Sequence, residues 1–256
     1  MLPRRHPDNG RDDVNLAGAL TAEVRDHLRH GRTALVPTGS LEQHGEAAPL
    51  ACDTIIPVRL CAAAAEITGA AVTPAITFGH SPNHMAFPGT VSLRASTLSA
   101  LARDVACSLC SHGFRAVLFV SGHGGNRGPV EEGIREALAE HPGADLRYVP
   151  YWTLPGVKEL QERLFGGDAG YHVTVTEVSM VWRLVGMEIP DFPRRAYPHE
   201  PSPGESLTAA EWLERYPDGG AGSDLSRVSA EKGAQLFESM VRSLCGLIDG
   251  IGRHVR

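Results

Sequence analysis

The chain has 256 residues, 42% of them hydrophobic and 21% charged, with a formal net charge of -6. This is enough chain of ordinary globular composition to bury a sizeable core, and the charge balance, without a Lys/Arg-rich run, argues against nucleic acid or an anionic membrane as main partner. No stretch approaches the ~20 apolar residues of a membrane span, and the polar opening lacks the apolar centre of a secretory signal. A cytoplasmic protein acting on a small molecule or peptide is expected.

Residues 1–15 are polar and rich in Pro, Gly and Asp, and are expected to be loosely held. Residues 16–30 read as a first helix, and the apolar run at 33–37 reads as a buried parallel strand followed by turn chemistry at Thr38-Gly39-Ser40. A second helix is expected over 53–67 and a strand over 71–76. The alternation continues as helix 96–111, strand 116–121, helix 127–140 and strand 145–150. Such a βα repeat predicts one α/β domain spanning 1–256, a mostly parallel twisted sheet with helices on both faces in three α/β/α layers.

Residues 173–185 read as a largely buried helix, and 229–251 as an amphipathic closing helix with Ser229 as N-cap and Glu231 in its first turn. Between them, 188–227 breaks the pattern with six prolines and a Gly-rich stretch, which predicts a long surface excursion ordered by a neighbouring subunit. Of the five cysteines, Cys107 and Cys110 have C-x-x-C spacing. No second such pair completes a zinc site. Leu98, Leu101, Ala102, Val105 and Leu109 recur at helical steps around them, so the cysteines are read as filling a buried helix face.

Metal-type ligands cluster in three stretches. Glu42 and His44 stand two apart, a spacing that puts both side chains on one side of an extended segment. Asp53 follows eleven residues after Glu42, either as a ligand or as a helix N-cap. His123 lies in Ser-Gly-His-Gly-Gly-Asn after another apolar strand; with Arg127 at the third glycine position, the loop fails the dinucleotide fingerprint and has no P-loop Lys. Both strands aim their ligands at the C-terminal edge of the sheet, where α/β proteins bind ligands. Glu177, in the apolar 173–185 segment, is a costly carboxylate unless paired or metal-bound. His172 precedes it by five residues.

Gly-Ser-Leu-Glu-Gln-His-Gly at 39–45 with Asp53, Phe-Pro-Gly-Thr at 87–90, Gly-His-Gly-Gly-Asn at 122–126 and Glu-Val-Ser at 177–179, in that order, resemble the creatininase family. The resemblance spans most of the chain and is poor over 190–225. It implies a metal-dependent amide hydrolase, usually hexameric, with two adjacent divalent ions: Glu42 and His123 on one, His44 on the other, Asp53 bridging, Glu177 the remaining ligand and His172 the catalytic histidine. The creatinine-hydrolysing branch has an aromatic residue after the loop histidine, a glutamate one position later and a Trp shortly before the catalytic histidine; here stand Gly124, Gly125 and Asp168. The segment 81–90 looks like the deformylase-type loop, with Asn83 at a usually acidic position.

The expected chemistry is attack on a cyclic amide, formamide or similar small amide by a metal-bridging hydroxide, with His172 as general acid/base. His84, Gly124, Gly125 and Trp152 are the expected substrate-binding positions. Zinc is the first choice of metal, with manganese or iron compatible with His, Asp and Glu ligands. Two alternatives are a peptidase that trims a short precursor peptide and a non-catalytic, metal-braced scaffold subunit.

Overall fold

The computed structural model describes residues 14–167, 170–197, 200–202 and 205–252. Four parallel strands, β1 (Thr33–Thr38), β2 (Ala71–Val72), β3 (Ala116–Ser121) and β4 (Asp145–Pro150), form one sheet in the order β2-β1-β3-β4. Side chains alternate between the faces, as a strand requires. Leu35, Leu118 and Val120 enter one apolar cluster with α2 (Cys52–Thr68), α5 (Val157–Phe165), α6 (Val175–Leu184) and α8 (Ala230–Gly252). Ala34, Val36, Val117 and Phe119 enter the other with α1 (Thr21–His27), α3 (Ala95–His112) and α4 (Arg127–Glu140). The three-layer α/β/α expectation is met.

The helix expected over 16–30 forms only as α1, and Val14 and Leu16 instead pair with Val72 at the sheet edge. That pairing ties down the end of a segment expected to be loose; residues 1–13 lie outside the described residues. The strand expected over 71–76 is two residues long, because Pro74 has no amide proton to continue the ladder; Ile76 rejoins it through a single bridge to Thr38. Leu101 is exposed and Cys107 and Cys110 are half-buried free thiols, so the C-x-x-C pair lies at the margin of the α3 packing face rather than on a buried one. Ser229 acts as expected, its Oγ accepting from Lys232 N at 3.3 Å.

The described residues of the 188–227 excursion are ordered by contacts within the chain itself. They contain α7 (Ala209–Arg215), capped by Thr208 and Glu211, and they pair back onto the chain: His172 and Ala221 exchange backbone hydrogen bonds of 3.1 Å each. No helix among the described residues is long and apolar enough to cross a membrane.

Helices α6 and α8 approach closely at Gly233, where an added Cβ would collide with the Ser179 carbonyl. Alanine there gains about 1 kcal/mol of helix propensity, yet overpacking against a backbone that cannot step aside costs about 1–3 kcal/mol. Gly233→Ala is therefore expected to lower the urea midpoint with an unchanged m-value.

Candidate metal centre

The strand order puts the change of direction between β1 and β3, the point at which an open α/β sheet leaves a crevice at its C-terminal edge. The loops after those two strands supply Glu42, His44 and His123, and the first turn of α2 supplies Asp53. All four side chains are buried. The N-cap of α2 is Ala51, without a side-chain cap bond, so Asp53 is free of the capping duty the sequence allowed it. Gly122 permits the close approach: a Cβ there would collide with the Asp53 carbonyl.

His123 Nδ1 lies 3.2 Å from both Glu42 Oε2 and Asp53 Oδ2, and His44 Nε2 lies 3.2 Å from Asp53 Oδ1. The far side of each ring decides what those contacts are. His123 Nε2 lies 3.0 Å from the His80 carbonyl and His44 Nδ1 lies 3.2 Å from the Glu42 carbonyl. A carbonyl only accepts, so both of those nitrogens carry protons. In the neutral rings the site-facing nitrogens then present lone pairs to carboxylate oxygens, which repel unless positive charge lies between them. Glu42 Oε2, Asp53 Oδ2 and His44 Nε2 also have no aligned hydrogen-bond partner among the described residues despite these short approaches. This donor set fits a cation.

The electrostatics agree. Burial disfavours an imidazolium, yet the charge of Asp53, 3.2 Å away, outweighs it and pushes His44 up to about 10. His123 is likewise pushed well above its ordinary value against burial, by Glu42 and Asp53. Burial would raise Glu42, but His123 draws it down to about 2; Asp53 is drawn down by His44 and His123. The cluster demands positive charge, which protons on His44 and His123 or a metal ion can supply.

Glu177 lies in the first turn of α6, which is largely buried as expected: Oε2 accepts from Thr174 N at 2.8 Å as the N3 member of a capping box, and Oε1 lies 3.4 Å from the Tyr151 hydroxyl. Burial nonetheless raises its pKa, against the pull of His44. Among the described residues, three groups of side chains have ligand atoms close enough to share an ion: Glu42, Asp53 and His123; His44, Asp53 and Glu177; and Glu42, His44 and His172. None of them contains a cysteine.

His172 Nδ1 stands 3.7 Å from Glu42 Oε1, and its ring stacks on His84 at 4.2 Å and 20°. Burial, reinforced by the neighbouring His84 and His44 rings and opposed by Glu42, holds its pKa well below the usual histidine range. Val173 beside it is buried with φ 54°, a conformation a β-branched residue adopts only under about 1–3 kcal/mol of strain. The backbone pairing of His172 with Ala221 holds that corner.

His84 is buried beside His172, with Nε2 3.8 Å from Glu42 Oε1. Gly124 is exposed and leaves open space where a side chain would stand, whereas a Cβ at Gly125 would collide with the His80 carbonyl. Trp152 packs into the apolar cluster, edge-on to Tyr151 at 5.2 Å; the Tyr151 hydroxyl is the group that reaches Glu177.

The sequence did not single out Gln43 or Trp212. Trp212 on α7 is buried with its ring edge-on to His84 at 4.6 Å and His172 at 5.7 Å. No periodicity in the Pro-rich segment marks it; a Thr208-x-x-Glu211 capping box beside an aromatic was the one available signal.

Against known proteins, a family profile described as Creatininase: Creatinine amidohydrolase matches residues 19–248. The chain is 30% identical over 236 residues to the creatinine amidohydrolase of Pseudomonas putida, covering 84% of this chain and 87% of that one. It is also 30% identical over 233 residues to the mycofactocin precursor peptide peptidase of Mycolicibacterium smegmatis, covering 86% and 84%. A solved creatininase variant of the Zn-Zn type superposes with a TM-score of 0.82 at 27% identity, over 93% of this chain and 97% of the other. The fold, the buried carboxylate and histidine cluster and these matches together make the chain a member of the creatininase family of hydrolases.

Proposed function

We propose that this protein is a dinuclear metal-dependent amidohydrolase that cleaves a C–N bond of a small amide. The observation that carries the reading is the set of lone-pair-bearing atoms of His44, His123, Glu42 and Asp53 turned toward one another in a buried site without aligned hydrogen bonds. Glu42, Asp53 and His123 would hold one ion and His44, Asp53 and Glu177 the other; zinc would fit this set best, with manganese or iron as substitutes. Bound divalent ions supply Lewis-acid polarisation of the amide carbonyl and an activated water near neutral pH.

The chain's own residues do the rest. Burial favours the neutral form of His172 and Glu42 nearby favours the protonated one, so the ring can take a proton as water adds and return it to the departing amine. The wall of His84 and Trp212 closes one side of the site and limits water there. Gly124 leaves room at the position where the creatinine-hydrolysing branch has an aromatic ring, which favours a substrate other than creatinine. The equal identity to a precursor peptide peptidase supports a second reading, cleavage near the end of a short peptide.

A screen of creatinine, formamido compounds, lactams and short peptides with zinc-loaded and manganese-loaded protein separates the readings. Turnover of a small amide supports the first and turnover of peptides alone the second. Absence of turnover across all classes in protein that binds metal overturns both and favours a metal-braced scaffold. Glu177→Gln keeps an N3 side chain able to form the capping box, so the fold is retained, while one ion is expected to bind about 10–100-fold more weakly. Metal titration with a competing chelator reads this out.

A further inference from the structure

Gln43 lies between two of the proposed ligands and is itself buried. Its amide orientation is fixed by two backbone groups of opposite polarity: Oε1 accepts from Gly45 N at 2.9 Å, and Nε2 donates to the Gly219 carbonyl at 3.0 Å. Reversing the amide would set donor against donor and acceptor against acceptor. Gly219 is shaped to this contact, with φ 87° and no room for a Cβ, which would collide with Gln43 Oε1. Thr90 Oγ1 accepts from Gln43 N at 3.1 Å and fixes the backbone.

The same Nε2 lies 3.1 Å from His84 Nδ1. An amide nitrogen only donates; it also approaches His172 Nε2 at 2.9 Å, but that nitrogen gives its proton to the Gln43 carbonyl at 3.0 Å, so the two amide protons go to the Gly219 carbonyl and to His84 Nδ1, which accepts. The ring proton is then on Nε2, the nitrogen that points toward the carboxylate side of the site. Stacking on His172 and the edge of Trp212 fix the plane of the ring, and within that plane the Gln43 amide favours the orientation that presents a nitrogen to it rather than a carbon. Glu42 Oε1, 3.8 Å from that Nε2, is beyond hydrogen-bond reach.

We infer that Gln43 is a positioning residue that holds His84 as a neutral ring with its proton on Nε2, and that His84 thereby donates a hydrogen bond to the substrate's amide oxygen as that oxygen gains charge. A pre-aimed donor at a developing oxyanion needs no reorganisation during the reaction. The second half rests on the hydrolase reading; the first does not. The inference also gives the Pro-rich 188–227 segment a role, since its Gly219 and Trp212 hold the amide and the ring in place.

The test is nitrogen-15 NMR of the full chain, zinc-loaded and selectively labelled at histidine, in which two-bond proton–nitrogen correlations distinguish the two neutral tautomers and the imidazolium. Wild-type His84 is expected in the Nε2-protonated form at neutral pH. Gln43→Glu replaces the donor with an acceptor and is expected to move the proton to Nδ1. An Nδ1-protonated or doubly protonated ring in the wild type, or an unchanged tautomer in the Glu variant, overturns the inference. Should Gln43→Glu not fold, Gln43→Met serves: a second tautomer supports the inference and an unchanged spectrum overturns it. On any amide the protein turns over, Gln43→Met is expected to lower kcat ~10-fold or more with KM little changed, as for an interaction made mainly in the transition state. The expected tautomer in a protein without turnover would leave the positioning role standing and the hydrolase reading refuted.

Discussion

Asp53→Ala is expected to abolish tight metal binding and to lower turnover by about 1,000-fold or more, the largest single effect in the molecule. Asp53 approaches both His44 and His123, with an oxygen 3.2 Å from each. Removing it takes a ligand from both proposed ions at once and leaves two lone-pair-bearing nitrogens facing a void. Loss of several kcal/mol of charge stabilisation translates, at about 1.4 kcal/mol per tenfold, into three or more decades of rate. Because Asp53 does not cap α2, the helix need not unravel with it. A thermal-shift assay separates fold from site. Zinc at ~1,000 times its Kd stabilises wild type by about 4 kcal/mol, and that increment should vanish in the variant while the metal-free protein still unfolds cooperatively. An undiminished zinc response would remove Asp53 from the centre.

His172→Ala is expected to behave in the opposite way, keeping the metal and losing about 100- to 10,000-fold in kcat, the range over which a general acid/base acts. Its Nδ1 is 3.7 Å from Glu42 Oε1, against 3.2 Å for the ring nitrogens of His44 and His123 from their carboxylate oxygens. The alternative is geometric: Glu42, His44 and His172 also come close enough to share an ion. Elemental analysis of the variant beside its kinetics decides. Metal retained with turnover lost fits proton transfer; metal lost in step with turnover would make His172 a ligand; full activity would leave it with neither role.

Much of this was legible in the residues because the relevant physics is local. The alternation of apolar runs with helical periods predicts a parallel sheet with helices on both faces. A strand that ends in turn residues predicts that Glu42, His44 and His123 meet at one edge, and the structure brings those side chains together with Asp53. What the sequence hid is tertiary. Gln43 was passed over because an extended segment sends residue i+1 to the opposite side from Glu42 and His44; the bends at Gly45 and the approach of Gly219 bring its amide back against His84 and His172. Trp212 sits in a stretch whose prolines read as breakers, and the contacts that fold it against the site, the pairing of His172 with Ala221 and the bond from Gln43 to Gly219, are made between segments far apart in the chain. The apolar 173–185 segment marks Glu177 as a costly carboxylate but not as the N3 member of a capping box, which satisfies one of its oxygens.

The central claim is that the chain holds two divalent ions in this cluster. Crystals of the zinc-loaded protein measured at the zinc absorption edge test it directly, since anomalous scattering locates the ions without reference to any substrate. The expected result is two peaks in the buried cluster, one beside Glu42 and His123 and one beside His44 and Glu177, with Asp53 touching both. A map without anomalous density among these residues, from protein saturated with zinc, would contradict it.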